Sequence, residues 1–164
     1  MTFFAIVREP IDPAHVLTLI GADQDGASLL FLGVVRDHND GRSVGGVLYD
    51  TYEEMAAQVL SEIVEEAARA AGTDRVAAVH RIGELEVGEV SVAIAVSSPH
   101  RAEAIDASRY VIEEIKKRLP VWKKERYSDG AEAWVEGRTP TAPDAVPSAR
   151  PDAPQPGASQ AEGS

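Results

Sequence analysis

Six cationic side chains crowd into thirteen consecutive positions, the segment IKKRLPVWKKERY from Ile115 to Tyr127, with Glu125 as the only acid among them. The chain as a whole carries a formal net charge of -11, so the segment is out of character with its surroundings. Crowded cations disfavour one another's charge, which lowers a lysine pKa and readies the amine for proton transfer or nucleophilic attack. Pro120 removes a backbone donor and ends a helix near Leu119. Trp122 is expected to pack as an anchor, fixing Lys123 relative to Lys116. In this reading the run is a bent wall suited to a small phosphorylated or carboxylated ligand.

Other cations could join that wall. Arg36 ends the apolar stretch SLLFLGVVR and opens the polar, glycine-rich loop DHNDGRSVGG. His100 and Arg101 fall in the first turn of a helix, where the dipole disfavours positive charge. They make sense there if they share an anion with the free N–H groups. The plain alternative is an exposed first turn costing about a few tenths of a kcal/mol. Lys116 borders the apolar stripe of that helix. Its amine is either held in a cleft or snorkels over apolar neighbours. Lys117 points the other way and reads as solvated surface.

The remaining histidines carry less. His38 and Arg42 read as loop polarity. His80 alternates with Val76 and Ala78 and reads as structural, and His15 as surface or helix packing. Their spacing matches no metal site. The absence of cysteine excludes disulfides, thiolate metal sites and cysteine nucleophiles.

The elements that must position these groups alternate between strand and helix. Phe3–Arg8 reads as a strand. Asp12 and Pro13 supply an N-cap and first-turn proline for a helix to about Gly21. Ser28–Arg36 is an apolar strand, and Val47–Thr51 another, with Val47, Tyr49 and Thr51 on one face. Glu54–Ala71 is a helix with Gly72 as its C′ residue. Arg75–Ile82 and Glu89–Ser97 form a strand pair around GELEVG, with Val90, Val92, Ile94 and Val96 facing one way. Ser98-Pro99 starts a helix to about Leu119, its core stripe Ile105, Ser108, Ile112, Ile115 and Leu119. A hairpin turning at Asp129-Gly130 follows. The fold class is α+β.

A chain of 164 residues with 44% hydrophobic content predicts one domain with a real core. Six of the ten prolines lie in RTPTAPDAVPSARPDAPQPGASQAEGS, which cannot bury enough apolar surface to order itself. The domain is therefore expected at 1–137 and a disordered tail at 138–164. No apolar run approaches the roughly 18–20 residues of a membrane span, and the N-terminus lacks signal-peptide features, so a cytoplasmic location is expected. General nucleic-acid binding is disfavoured by the acidity. A single-strand binder stacking bases on Trp122 and a non-catalytic module holding a phosphorylated metabolite are the rival readings.

Four motifs, FLGVVRDHNDGRSV, HRIGELEVGE, SSPHRAEA and KKRLPVWKKE, in this order and spacing resemble the large catalytic subunit of molybdopterin synthase, the MoaE family. The resemblance covers residues 3–137. It implies an α/β hammerhead with an additional antiparallel β subdomain. It implies a sulfurtransferase that converts precursor Z, a cyclic pyranopterin monophosphate, to molybdopterin without a cofactor. Sulfur would come from the C-terminal Gly-Gly thiocarboxylate of a small ubiquitin-like subunit, acting in trans because this chain ends QAEGS. Two large subunits would form the centre of a heterotetramer. Carried over residue by residue, the family's catalytic positions fall on Lys116 and Lys123. Its substrate-binding positions fall on Val34, Val35, Arg36, His100, Arg101, Lys116, Lys123, Lys124 and Glu125. The resemblance gives no metal, membrane or nucleic-acid role.

Overall fold

The computed structural model describes residues 1–135; the domain boundary expected at 137 and the tail expected at 138–164 lie outside them. The elements in order are β1 (Phe3–Val7), α1 (Pro13–Thr18), β2 (Ala27–Val34), β3 (His38–Asn39), β4 (Arg42–Thr51) and α2 (Glu53–Ala71). Then come β5 (Val76–Arg81), β6 (Gly83–Glu86), β7 (Val90–Ser98), α3 (Arg101–Arg118), β8 (Val121–Tyr127) and β9 (Glu132–Val135).

The first sheet has the order β1-β5-β7-β2, with β1 parallel to β5 and the other pairs antiparallel. Helices α2 and α3 cover one face. Leu60, Ile63 and Val64 of α2 meet Ala104, Val111 and Ile115 of α3 over Val76, Ala78, Ile94 and Val96. Helix α1 covers the other face, with Val16 over Ala77, Val79, Ala93 and Ala95. Asp12 caps α1 by accepting the Ala14 N–H at 3.0 Å. Both faces of β5 and β7 are thus buried, and their sequences are correspondingly apolar. Val90 leaves the face expected for it. The register between β2 and β7 slips where Gly33 opposes Val92 and Val34 opposes Val90, and this bulge turns Val90 to the α1 side.

The second sheet is the antiparallel subdomain. Strand β4 lies between β6 and β8, β3 folds onto the start of β4, and β9 pairs with β8. Its small core is Val35, Val44, Val47 and Leu85. Two of the crossings between the sheets bear on the site. Strand β5 passes through Ile82 into β6, with Gly83 at φ +96°, a conformation that strains any residue with a Cβ. Strand β2 passes through Val35 towards β3, and Val35 exchanges backbone bonds with Glu89 and Gly88 at 3.0 and 2.9 Å. This is the α+β hammerhead with its added antiparallel sheet.

Four further expectations are corrected. The segment GELE is not merely the connection between two strands but is itself strand β6, paired with β4. The polar loop DHNDGRSVGG is a tight hairpin: Asp40 (φ +48°) and Gly41 (φ +77°) form a two-residue turn of the mirror-image type. On α3 the buried residues are Ala104, Ala107, Ser108, Val111 and Ile115, whereas Ile105 is 48% exposed. The helix presents its small alanines to the sheet, which rolls Ile105 outward. Trp122 is 56% exposed and anchors nothing. The turn after α3 is held by Thr51, whose hydroxyl donates to the Pro120 carbonyl at 2.5 Å, and by the β4–β8 ladder.

Candidate active site

Where the two sheets meet, a concave pocket holds about 300 Å³ of empty space, open solvent included. Val34, Val35, Val44 and Val47 form its apolar wall, and Arg36 and Lys123 bring positive charge. His38, Asn39, Tyr49 and Glu125 complete the lining. Arg36 arrives from the end of β2, His38 and Asn39 from β3, and Lys123 and Glu125 from β8. The alternation of β8 places Lys123 and Glu125 on one side and Trp122 and Lys124 on the other. Tyr49 of β4 is the direct cross-strand neighbour of Lys123.

Glu125 is 1% exposed, far below what a carboxylate accepts without partners. Its Oε1 accepts from Asn39 Nδ2 at 2.8 Å and meets Lys123 Nζ at 3.3 Å. Its Oε2 has no hydrogen-bond partner. Tyr127 lies near enough for this carboxylate, after burial, to raise the phenol pKa, but leaves Oε2 unsatisfied. An orphaned buried acceptor costs about 1–3 kcal/mol, a cost that an N–H or O–H of a ligand would relieve.

Lys116 stands on the last turn of α3, outside the lining. As a whole residue it is exposed, yet its ammonium is perturbed. Burial of the amine end lowers its pKa first, and the positive charges of Lys123 and Arg36 lower it further. An exposed stem and a buried amine end are compatible in a long side chain that lies along the surface. Lys116 also reaches His80 electrostatically. His80 is buried, donates from Nδ1 to the Arg81 carbonyl at 2.8 Å, and sets its ring edge-on to Tyr49 at 5.4 Å. Burial, with Lys116 adding to it, pushes the His80 pKa down to about 4.

The rest of the cationic segment is neutralised or turned away. Lys117 pairs with Glu114 at 3.5 Å. Arg118 forks onto Glu66 at 2.6 and 3.1 Å, and Tyr110 donates to the same carboxylate at 2.6 Å. That cluster ties the end of α3 to α2 and so sets the turn that carries Lys116. Arg118 and Tyr110 hold the Glu66 carboxyl at about 2. Lys124 pairs with Glu132 at 2.7 Å and lies 5.6 Å from the Trp134 ring centre, on the opposite face of β8. It therefore does not share the pocket with Lys123. His100 stands at the N-cap position of α3 without a side-chain hydrogen bond to the helix, and Arg101 is its first residue. Fifteen residues separate Arg101 from Lys116, a rise of about 22 Å, so one protomer does not bring them together. Among the described residues no group of acids and histidines could hold a metal ion. No helix there is long and apolar enough to cross a membrane.

Residues 6–118 match the family model described as MoaE protein. The chain belongs to the MoaE family. It is 42% identical over 133 residues to molybdopterin synthase catalytic subunit 1 of Mycobacterium tuberculosis, covering 81% of this chain and 90% of that one. It is 39% identical over 152 residues to the molybdopterin synthase catalytic subunit of Bacillus subtilis, covering 93% and 95%. Among solved structures, the molybdopterin synthase of Staphylococcus aureus superposes with a TM-score of 0.76 at 37% identity, over 80% of this chain and 95% of that one.

In this MoaE chain the pocket contains Val34, Val35, Arg36, Lys123 and Glu125, with Lys116 beside it. It also contains His38, Asn39 and Tyr49, which sequence reasoning passed over. Two signals pointed to them. Tyr49 shares a face with Val47, and Asp40-Gly41 marks a hairpin that must fold His38 and Asn39 back beside Arg36.

Proposed function

We propose that this chain is the catalytic subunit of a molybdopterin synthase, acting in the cytoplasm on precursor Z. Sulfur is delivered by the C-terminal thiocarboxylate of a small ubiquitin-like subunit. Family membership and the names of the curated relatives support the activity. The observation that supports the site is the Lys116 ammonium, whose pKa is lowered by burial and by Lys123 and Arg36 beside the pocket. A lysine so placed spends more time as a free amine near neutral pH, which suits it to move protons or attack the thiocarboxylate carbon.

The other groups take roles by charge. Arg36 binds the substrate phosphate with its planar fork. Lys123 stabilises the negative charge that develops as sulfur attacks. The free Oε2 of Glu125 accepts an N–H of the pterin ring. His100 and Arg101 are too far along α3 to touch the same small substrate from the same protomer. If they serve it, a second copy of the chain supplies them, consistent with a paired large subunit at the centre of the assembly. The catalytic domain in this reading is 1–137, with 138–164 an appendage.

Single-turnover conversion of precursor Z by the purified chain plus thiocarboxylated small subunit tests the reading, with Lys116→Ala alongside. Dithiolene product from the native chain and none from the variant is expected. Product from both moves the catalytic role to Lys123. No product from either, with the small subunit bound, removes the enzymatic reading.

A further inference from the structure

A pocket recognises each part of a small molecule by what its wall offers. Here Arg36 and Lys123 offer positive charge and hydrogen-bond donors, which suit a phosphate. A pterin also has a donor-rich edge, on which a pyrimidine ring N–H and an exocyclic amine lie side by side. The cationic wall cannot serve that edge, because lysine and arginine have no acceptor.

Acceptors come from β3 and β8. Successive residues of a strand face opposite ways. Of the two residues of β3, His38 turns outward and pairs with Asp37 at 2.7 Å on the exposed side. Asn39 turns inward, and its Nδ2 donates to Oε1 of Glu125 at 2.8 Å. Glu125 meets the Lys123 ammonium at 3.3 Å, and its negative charge adds to burial in raising the Tyr127 phenol pKa. A carboxylate only accepts, so the nitrogen of the Asn39 amide must face it. Oδ1 then points away from Glu125 and meets no donor among the described residues. Asn39 lines the pocket, so its amide presents a fixed acceptor there. Glu125 Oε2 is a second acceptor without a partner.

The hairpin holds Asn39 in place. Asn39 opposes Arg42 across the Asp40-Gly41 turn. The Arg42 guanidinium lies 3.5 Å from the Tyr127 ring centre and 3.4 Å from the Asp129 carboxylate. Ser43 and Ser128 share a hydroxyl bond of 2.8 Å, and Ser128 N donates to Ser43 O at 3.0 Å. Satisfying Glu125 alone would need only a donor, which serine or lysine could supply as well as asparagine. An amide adds the acceptor that the cationic wall lacks.

We infer that Asn39, oriented by Glu125, selects the aminopyrimidinone edge of the substrate, its Oδ1 accepting from the exocyclic amine beside the ring N–H that Glu125 takes. This rests on the proposed function and adds a specificity-determining residue to it. A lumazine carries an oxo group in place of that amine, and would set oxygen against oxygen.

The test titrates two competitive probes, 6-carboxypterin and 6-carboxylumazine, against single-turnover conversion of precursor Z with thiocarboxylated small subunit. The native chain should favour the pterin by about 10-fold or more, the effect of one desolvated hydrogen-bond partner. Asn39→Ala should lose that preference. It should also need about 10-fold more precursor Z for half-maximal rate, with a smaller effect on the rate at saturation. Asn39→Asp can share a proton with Glu125 and still turn an oxygen to the pocket, so it should keep the preference. An asparagine that only satisfied Glu125 would change stability without changing the ratio between the probes. Retention of the native ratio in Asn39→Ala, or its loss in a folded Asn39→Asp, overturns the inference. The native ratio is read on unaltered protein, so a value near one, or no inhibition by either probe, overturns it even where a variant fails to fold. A native chain that makes no product overturns the parent reading and this one with it.

Discussion

His80 allows a quantitative test of how the site is built into the fold. Its pKa falls from 6.5 to about 4 because the ring is buried, with Lys116 nearby adding to the effect. In the unfolded chain the ring is solvated and titrates near its usual value. Above pH 6.5 both states hold a neutral ring and nothing depends on pH. As pH falls, the unfolded state takes up a proton that the folded state refuses, so stability is lost until the folded pKa near 4 is passed. A gap of about 2.5 pH units at about 1.36 kcal/mol each gives a loss of about 3 kcal/mol, large against a typical total of about 5–15 kcal/mol. The control is His80→Asn, whose amide nitrogen can still donate to the Arg81 carbonyl. Urea unfolding from pH 7.5 to 4 should show the native chain losing about 3 kcal/mol more than the variant. Lys116→Met should make the loss smaller, because removing that charge raises the His80 pKa. Parallel profiles for the native chain and His80→Asn would refute the reasoning.

Three further outcomes are expected. Glu66→Gln should destabilise the fold by about 1 kcal/mol by urea unfolding at pH 7, the Arg118 pair being about a third exposed and discounted for screening. Because the folded Glu66 pKa is depressed from 4.5 to about 2, that difference should be present above pH 4.5 and fade as pH falls towards 2. Lys124→Ala should leave single-turnover product formation within about threefold of native, while Lys123→Ala should lose about 100-fold or more; equal losses would mean that the two faces of β8 are not functionally distinct. Mixing the inactive variants Lys116→Ala and Arg101→Ala should restore product if a second copy completes the site, since one of the two mixed sites then keeps both residues. Continued inactivity of verified mixed dimers removes the second copy from the site.

The strands and helices were largely legible because their periods were strong. Asp12-Pro13 marked α1, Gly72 ended α2, and the apolar run of β2 delivered Arg36 to the pocket. The errors came where local rules met tertiary constraints. The Asp-Gly rule that placed the β8–β9 hairpin applied equally to Asp40-Gly41, but the surrounding polarity hid it. Sequence spacing gave α3 a stripe through Ile105, while the sheet accepted the smaller Ala104 and Ala107. Trp122 looked like an anchor because aromatic residues usually are. On β8, however, its parity puts it opposite Lys123. The same parity separates Lys124 from the pocket. His38 and Asn39 could not be placed at the pocket until the hairpin folded them back beside Arg36. The pairing of Lys117 with Glu114 and of Arg118 with Glu66 shows how a run of like charges sorts itself. Most are answered by acids, and Lys116 is left to feel its cationic neighbours.

The parity of β8 constrains the lengths this segment can take. Between Pro120 and the turn at Asp129-Gly130, a single inserted or deleted residue would exchange the two faces of the strand. Trp122 and Lys124 would enter the pocket, and Lys123 and Glu125 would leave it. Two insertions would restore the faces but slide Lys123 by about 6.6 Å along the ladder, away from its distance to Lys116. The spacing from Lys116 to Lys123 is therefore tolerant of changes in residue type on the outer face and intolerant of any change in count.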